Sequence, residues 1–218
     1  MDSLRLLWDS INWSLLLDML SRVLAVLVCL TVHETCHGLA AYALGDPTAK
    51  RMQRLSFNPL HHIDWLGLAC MLLVGFGWAK PVPVDMRYFK KPKEGMALTA
   101  LAGPVSNFLL AVVCLVPLGW MYHNALATDF NLWLYNFLFT LVLMNLGLGL
   151  FNLLPIPPLD GSKVLFAFLP DRLYLQLMRY EHFGMLILLV LVYFDFGSDF
   201  LSNAIVAVFN FLWNLIVL

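Results

Sequence analysis

Long apolar stretches separated by short polar loops are the feature that most constrains this chain. Apolar segments of about 20 residues have the length that a helix needs to cross the hydrocarbon core of a bilayer. Only 12% of the 218 residues are charged, whereas a soluble domain has about 25%. The sequence therefore predicts an all-α polytopic membrane protein, with residues 1–218 forming one integral-membrane domain. The apolar stretches cover approximately residues 22–44, 64–79, 96–121, 131–154, 180–196 and 199–218.

The stretch at residues 64–79 is the weakest candidate for a span, because it is short and contains three glycines. Lys and Arg concentrate in the cytoplasmic loops of membrane proteins, and basic residues stand both before and after this stretch. If the stretch enters the membrane and returns, eleven of the thirteen Lys and Arg residues lie on one face. We therefore expect five transmembrane helices plus a re-entrant or short β-hairpin element after the first span. Six transmembrane helices are the alternative.

The sequence also predicts where the first span begins and ends. Residues 1–19 mix tryptophans with charged residues, which is typical of an amphipathic helix at the membrane surface. The first span should then begin near residue 22 and end at Gly45.

The formal net charge is −1, and no basic run is interleaved with aromatic residues. Nucleic acid is therefore excluded as a partner.

The first span contains polar side chains at a depth where only lipid or protein can surround them. Residues 31–37, TVHETCH, follow the apolar run VLAVLVCL, and an unpaired polar group there is costly. In a helix, His33 and His37 lie on one face and can reach one ion, while Glu34 is turned by about 100°. In metalloproteases with this H-E-x-x-H spacing, neutral imidazoles bind Zn²⁺ and the carboxylate is the general base. The alternative is a polar patch that is hydrogen-bonded to neighbouring helices.

A catalytic zinc site usually has three protein ligands, so a third ligand must come from elsewhere in the chain. The best source is residues 151–165, FNLLPIPPLDGSKVL, where three prolines end a span and Asp160 follows. Asp160 is equally suited to be the N-cap of a short helix, and the local sequence leaves both roles open. His61 and His62 are candidates for a spare imidazole, although histidine is ordinary in a membrane-face loop. Asp64 would orient His62 or start the re-entrant segment.

Five motifs together resemble the site-2 protease family of intramembrane zinc metalloproteases, and especially its compact prokaryotic members without PDZ or CBS domains. The resemblance covers about residues 25–165. It implies that His33, His37 and Asp160 bind one zinc ion per chain and that Glu34 is the catalytic base. It also implies that Asn152 helps to hold the substrate or the oxyanion. The motifs are HETCH at 33–37, NPLHHIDWLG at 58–67, GWAKPVPVD at 77–85, AGPVSN at 102–107 and FNLLPIPPLDG at 151–161.

The function that follows from this resemblance is cleavage of a transmembrane helix in another membrane protein. The expected partners are that substrate and the lipid bilayer, in a cell membrane, with the active site open toward the cytoplasm. GWAKPVPVD is either an edge strand to which the unwound substrate adds as a further strand, or a plain loop. Asn107 either bonds across helices or lines the active site.

Two rival functions belong to other classes. A membrane zinc permease would carry H-E-x-x-H as well, but it needs polar ligands on several spans from one face to the other. The two apolar stretches after residue 180 offer almost none. An inactive relative that only binds membrane helices would not need Glu34 and all three expected ligands.

Overall fold

The computed structural model describes residues 12–67 and 80–218. This part of the chain is helical and contains no strand, so the predicted all-α class is confirmed. Two short 3-10 turns, Pro59–His61 and Met86–Tyr88, lie in the long connection after the first helix. The helices are α1 Trp13–Ala43, α2 Thr48–Arg51, α3 Pro92–Asn124, α4 Asp129–Asn152, α5 Asp160–Ala167, α6 Asp171–Arg179, α7 Glu181–Tyr193 and α8 Ser198–Ile216.

Four of these helices, α1, α3, α4 and α8, are long and apolar enough to cross a membrane. Helices α6 and α7 meet the same criteria together but bend by 66°, so they would form a broken span or a re-entrant loop. The described residues thus provide four spans, or five if the bent pair is one span. Most of the predicted re-entrant stretch, residues 68–79, lies outside the described residues.

The first span is longer than the sequence predicts. Helix α1 runs without interruption from Trp13, because no proline occurs before Ala43 and the Asn12 side chain accepts a hydrogen bond from the Leu15 N–H as an N-cap. The expectation of a separate surface helix over residues 1–19 is therefore wrong for residues 13–19, which belong to α1. Residues 1–11 lie outside the described residues.

Helix α3 is the centre of the bundle and packs against α1, α4 and α5. Small side chains let α1 and α3 approach each other closely, among them Ala25, Cys29, Ala111 and Cys114. Larger buried side chains, such as Leu146 of α4, complete this core. Helix α8 buries none of its residues and packs on the outside of the bundle. Lipid would solvate its outer face, because hydrocarbon does not penalise exposed apolar side chains.

The loop after α1 contacts the loop before α3. Asp46, which is fully buried, accepts a hydrogen bond from the Asp85 N–H at 2.7 Å. The guanidinium of Arg54 donates to the Lys80 carbonyl, also at 2.7 Å. Because these residues flank the stretch at 64–79, that stretch begins and ends at the same end of the bundle. A re-entrant element requires this arrangement.

This arrangement predicts which positions share a membrane face. Cysteines introduced by Lys50→Cys and Lys90→Cys should react with an impermeant maleimide from the same side of sealed vesicles. Ala127→Cys, in the loop between α3 and α4, should react only from the opposite side. Labelling is scored as the increase over the parent protein, which has its own cysteines. Reaction of positions 50 and 90 from opposite sides would contradict the re-entrant topology.

Candidate metal centre and cleft

Helix α1 places two imidazoles against each other at the centre of the bundle. His33 and His37 are one helical turn apart, and their Nε2 atoms lie 3.0 Å from each other. Both residues are buried. The sequence prediction that they share a face is confirmed. Their burial also explains why ring orientation is controlled by neighbouring protein groups rather than by water.

The third side chain comes from the first turn of α5. Asp160 Oδ2 lies 3.1 Å from His33 Nε2 and 3.2 Å from His37 Nε2. The N-cap position of α5 belongs to Leu159, and no side chain caps this helix. The alternative role of Asp160 as a cap is therefore wrong. Gly161 permits the tight turn after α4, since a Cβ there would overlap the Leu153 carbonyl.

The second nitrogen of each imidazole determines the tautomer. His37 Nδ1 lies 2.7 Å from the Thr99 carbonyl oxygen, which only accepts, so Nδ1 carries the proton. His33 Nδ1 lies 2.6 Å from Asn107 Oδ1. The Asn107 amide is oriented by its Nδ2, which donates to the Cys29 carbonyl at 3.3 Å, so its oxygen accepts from His33. Both Nε2 atoms therefore present lone pairs.

Three electron-pair donors thus face one point, and this arrangement fits a zinc ion. Lone pairs 3.0–3.2 Å apart repel each other unless a cation lies between them. Ligand atoms bonded to tetrahedral zinc at about 2.0–2.2 Å lie about 3.3–3.5 Å apart, close to the spacing observed. The zinc ligand of this type is an ionised carboxylate, and a cation beside Asp160 would favour that form.

A cleft of about 310 Å³ opens beside the metal centre. Glu34 lines it, and its Oε2 accepts a hydrogen bond from the Val82 N–H at 2.9 Å. Its Oε1 has no hydrogen-bond partner among residues 12–67 and 80–218, so it can receive a proton from a molecule in the cleft. The other walls include Val84, Asn152 and Lys163.

Of the remaining predicted site residues, Asn152 lines the cleft, whereas His61 and His62 do not. Asn152 lines the cleft at the end of α4, and its Nδ2 donates to the Leu148 carbonyl at 3.0 Å. His61 is exposed, and His62 is buried with its Nε2 2.7 Å from the Ser56 carbonyl oxygen. Neither histidine belongs to the group that could hold a metal ion, which comprises His33, His37 and Asp160 among the described residues.

Asp64 was expected to orient His62 or to start the next segment. Its Oδ1 accepts hydrogen bonds from the N–H groups of Leu66 and Gly67, at 3.0 and 2.9 Å. A carboxylate that accepts from the second and third following N–H groups acts as an N-cap. Asp64 therefore caps the helical turn at residues 65–67, and the rest of the expected re-entrant segment lies outside the described residues.

Comparison with known proteins identifies the family. A model of the family described as "Peptidase family M50" matches residues 120–194. A Bacillus subtilis (strain 168) protein named "Putative zinc metalloprotease YwhC" is 40% identical over 178 residues, which are 81% of this chain and 81% of the relative. The chain belongs to peptidase family M50, the site-2 protease family. It is a multi-pass membrane zinc metalloprotease by this membership and by its apolar helices.

Other M50 relatives share shorter or weaker similarity. "Zinc metalloprotease MJ0392" of Methanocaldococcus jannaschii is 39% identical over 83 residues, which are 38% of this chain and 22% of the relative. "Putative zinc metalloprotease Rip2" of Mycolicibacterium smegmatis is 28% identical over 171 residues, which are 76% of this chain and 64% of the relative. No solved structure matches the chain.

Sequence reasoning missed three contributors to this M50 site. Thr99 supplies a backbone carbonyl, which no side-chain pattern reveals. Asn145 is a fully buried amide in an apolar helix, and its polarity at that depth was a signal of a polar partner. Lys163 lies one helical turn after Asp160 and faces the same cleft. For Lys163, the three-residue spacing from Asp160 on α5 was the available signal.

Gly103 gives a direct test of the packing around the two imidazoles. A Cβ at this position would overlap the rings of both His33 and His37. Gly103→Ala should therefore displace the rings and weaken zinc binding by roughly 10- to 100-fold, measured by chelator competition on purified protein. Gly147→Ala is the matched control, since its Cβ would meet only Ile205 Cδ1, at 3.4 Å. Unchanged zinc affinity in Gly103→Ala would contradict the described positions of the rings.

Proposed function

We propose that this M50 protein is an intramembrane endopeptidase that cuts a transmembrane segment of another membrane protein. The observation that carries the proposal is the convergence of His33, His37 and Asp160 beside Glu34, with both histidines and Glu34 on a helix that is long and apolar enough to cross a bilayer. A metal-dependent hydrolytic site at that depth would meet membrane-embedded peptide rather than soluble protein. One zinc ion per chain accounts for the three donors.

Each polar residue named here has a separate role in the proposed hydrolysis. His33, His37 and Asp160 would hold the zinc, which supplies Lewis acidity to the scissile carbonyl and to the attacking water. Glu34 Oε1 takes the proton of that water as the new C–O bond forms, and Glu34 returns a proton to the amine nitrogen as the C–N bond breaks. Asn152 lies in the wall where a substrate backbone would run, and its amide oxygen can accept a substrate N–H.

The proposed membrane is the cell membrane, with the cleft open toward the cytoplasm. His33 lies about 15 Å along α1 from the helix end at Ala43, at 1.5 Å per residue. The loops and short helices at that end contain most of the basic residues, including Lys50 on α2, Lys90 in the loop before α3 and Lys163 on α5. Basic loops favour the cytoplasmic face, so water and the cut peptide would enter and leave from that side.

The substrate helix must unwind locally before its peptide bond reaches the metal. Residues 80–85 line the cleft beside Glu34 and form neither a helix nor a paired strand. Pro81 and Pro83 have no N–H, so Val82 and Val84 carry the donors in the middle of this segment. Because Glu34 accepts from Val82, Val84 offers the N–H that an added substrate strand could use. A plain loop that only covers the cleft is the alternative.

The zinc permease is disfavoured by the burial pattern. A transport path needs polar side chains along several helices from one face to the other. Within residues 183–216, which include α8 and most of α7, no polar side chain is buried. The buried polar residues of the metal centre belong instead to α1, α3, α4 and α5.

Two substitutions separate the base from the ligands. Glu34→Gln should keep wild-type zinc content but reduce cleavage by roughly 10²- to 10⁴-fold, because an amide of the same size cannot accept the proton. Asp160→Asn should lose zinc affinity as well as cleavage, because an amide is a poorer zinc ligand than a carboxylate. Zinc is measured by elemental analysis, and cleavage on a reconstituted single-span substrate.

The wild-type protein without added chelator is the control for both variants. Cleavage by Glu34→Gln at the wild-type rate would remove Glu34 as the base. An Asp160→Asn protein with full zinc affinity would remove Asp160 as a ligand. Zinc uptake into sealed vesicles without proteolysis would instead favour the permease.

Strand addition is tested at Val84. Val84→Pro removes the N–H that the substrate strand would use, and proline otherwise suits an extended segment. We expect this variant to retain zinc but to cleave at least about tenfold more slowly, since ladder hydrogen bonds supply the affinity in this binding mode. Val84→Ala keeps the N–H and is the matched control. Equal cleavage by the proline and alanine variants would leave residues 80–85 as a plain loop.

A further inference from the structure

We propose that Asn145 is a positioning residue for the metal centre, although it touches neither the metal ligands nor the cleft. It acts on His33 through Asn107, by keeping the Asn107 amide in the one orientation that leaves His33 Nε2 free to bind a metal. The inference rests on the zinc site proposed above and adds a residue from a helix that supplies no imidazole.

The contacts form one continuous chain across three helices. Asn145 Nδ2 donates to the Leu141 carbonyl oxygen of its own helix at 2.8 Å. Asn145 Oδ1 then accepts from Asn107 Nδ2, also at 2.8 Å. Asn107 Oδ1 accepts in turn from His33 Nδ1 at 2.6 Å. The chain therefore starts at an α4 carbonyl, passes through α3 and ends at an imidazole of α1.

The direction of every bond in this chain is fixed by carbonyl groups. A backbone carbonyl only accepts, so the Leu141 oxygen fixes the Asn145 amide with its own oxygen turned toward α3. That oxygen and the Cys29 carbonyl oxygen then accept from the two N–H groups of Asn107 Nδ2. Both acceptors favour the same orientation of Asn107. The bond to Asn145 is the shorter of the two, 2.8 Å against 3.3 Å.

A flip of Asn107 would disable the metal site. Its NH₂ group would then face His33 Nδ1, which would have to give up its proton and accept. The proton of a neutral His33 would move to Nε2, where it would occupy the lone pair that faces His37 and Asp160. The flip would also turn Asn107 Oδ1 toward two acceptor oxygens. Asn145 is one of those two acceptors, so it contributes directly to the penalty against the flip.

Because both amides are buried, their hydrogen bonds hold the Asn107 amide firmly in its orientation. Asn107 and Asn145 are each 0% exposed, so no water can replace a lost partner. An unmade hydrogen bond in such surroundings is costly, and orienting partners of metal-bound histidine typically change metal affinity by about 10- to 100-fold. A residue two hydrogen bonds away from the imidazole can therefore change the affinity of the site for the metal.

The test is zinc affinity of the purified full chain, measured by chelator competition with zinc as the only added ligand. Asn145→Leu should weaken zinc binding by about 10-fold or more. Asn145→Asp should stay near the wild-type affinity, since a carboxyl kept protonated in this buried position can donate to the Leu141 carbonyl while its other oxygen accepts from Asn107. In an Asn107→Leu background, Asn145→Leu should cause no further loss, because the residue acts only through Asn107. Cobalt absorption spectra should show the same dependence, as a change in ligand geometry.

The controls separate positioning from simple packing. Asn210→Leu removes an exposed amide from α8 and should leave zinc affinity unchanged. If Asn145→Leu does not fold in detergent, Asn145→Ser replaces it: its hydroxyl can bond the Leu141 carbonyl but ends about one bond length short of Asn107. A stability loss with wild-type zinc affinity, or equal losses in both Asn107 backgrounds, would overturn the proposal. A wild-type protein that binds no zinc would instead overturn the metal site itself.

Discussion

This structure depends on one constraint. Three lone pairs are placed together inside the bundle, where they repel each other. His33, His37 and Asp160 come within 3.2 Å of one another at the centre of an apolar bundle. In hydrocarbon such a group is stable only with a cation among the donors and with a hydrogen-bond partner for each remaining polar atom. The neighbouring helices are arranged to meet both conditions.

Helix α3 supplies the hydrogen-bond acceptors and the space that the two imidazoles need. Its Thr99 carbonyl and Asn107 amide oxygen accept the two Nδ1 protons, and Gly103 between them leaves room for the rings. Pro104 follows directly and has no N–H, so the Ala100 carbonyl lacks a helical donor. Ala100 lines the cleft, where such a carbonyl is tolerated. Residues 99–107 of α3, about two turns of helix, therefore orient both imidazoles, and Ala100 in the same stretch lines the cleft.

The sequence predicts this site unevenly, and the reasons are physical. His33, His37 and Asp160 were predictable because metal ligands need particular side chains, and H-E-x-x-H spacing puts two of them on one helix face. The cap and ligand roles of Asp160 could not be separated locally, since they differ only in where the carboxylate points after the proline-rich turn folds. Thr99 acts through its backbone, which leaves no pattern in the sequence. The start of α1 was misplaced because charged residues near Trp13 suggest a surface helix, whereas nothing there breaks the backbone hydrogen bonding.

The position of Glu34, the carboxylate that we propose as the base, is coupled to the loop that lines the cleft. Glu34 is anchored by the Val82 N–H, and the same loop is anchored at Asp85 by buried Asp46. Glu34 lies about 14 Å from the end of α1 at Ala43, at 1.5 Å per residue, and Asp46 follows just after that end. The loop is thus held against the helix that carries His33 and His37, and one oxygen of Glu34 is bound by the loop backbone. In the proposed reaction, a substrate that pairs with this loop would therefore meet Glu34, the proposed ligands and the cleft wall together.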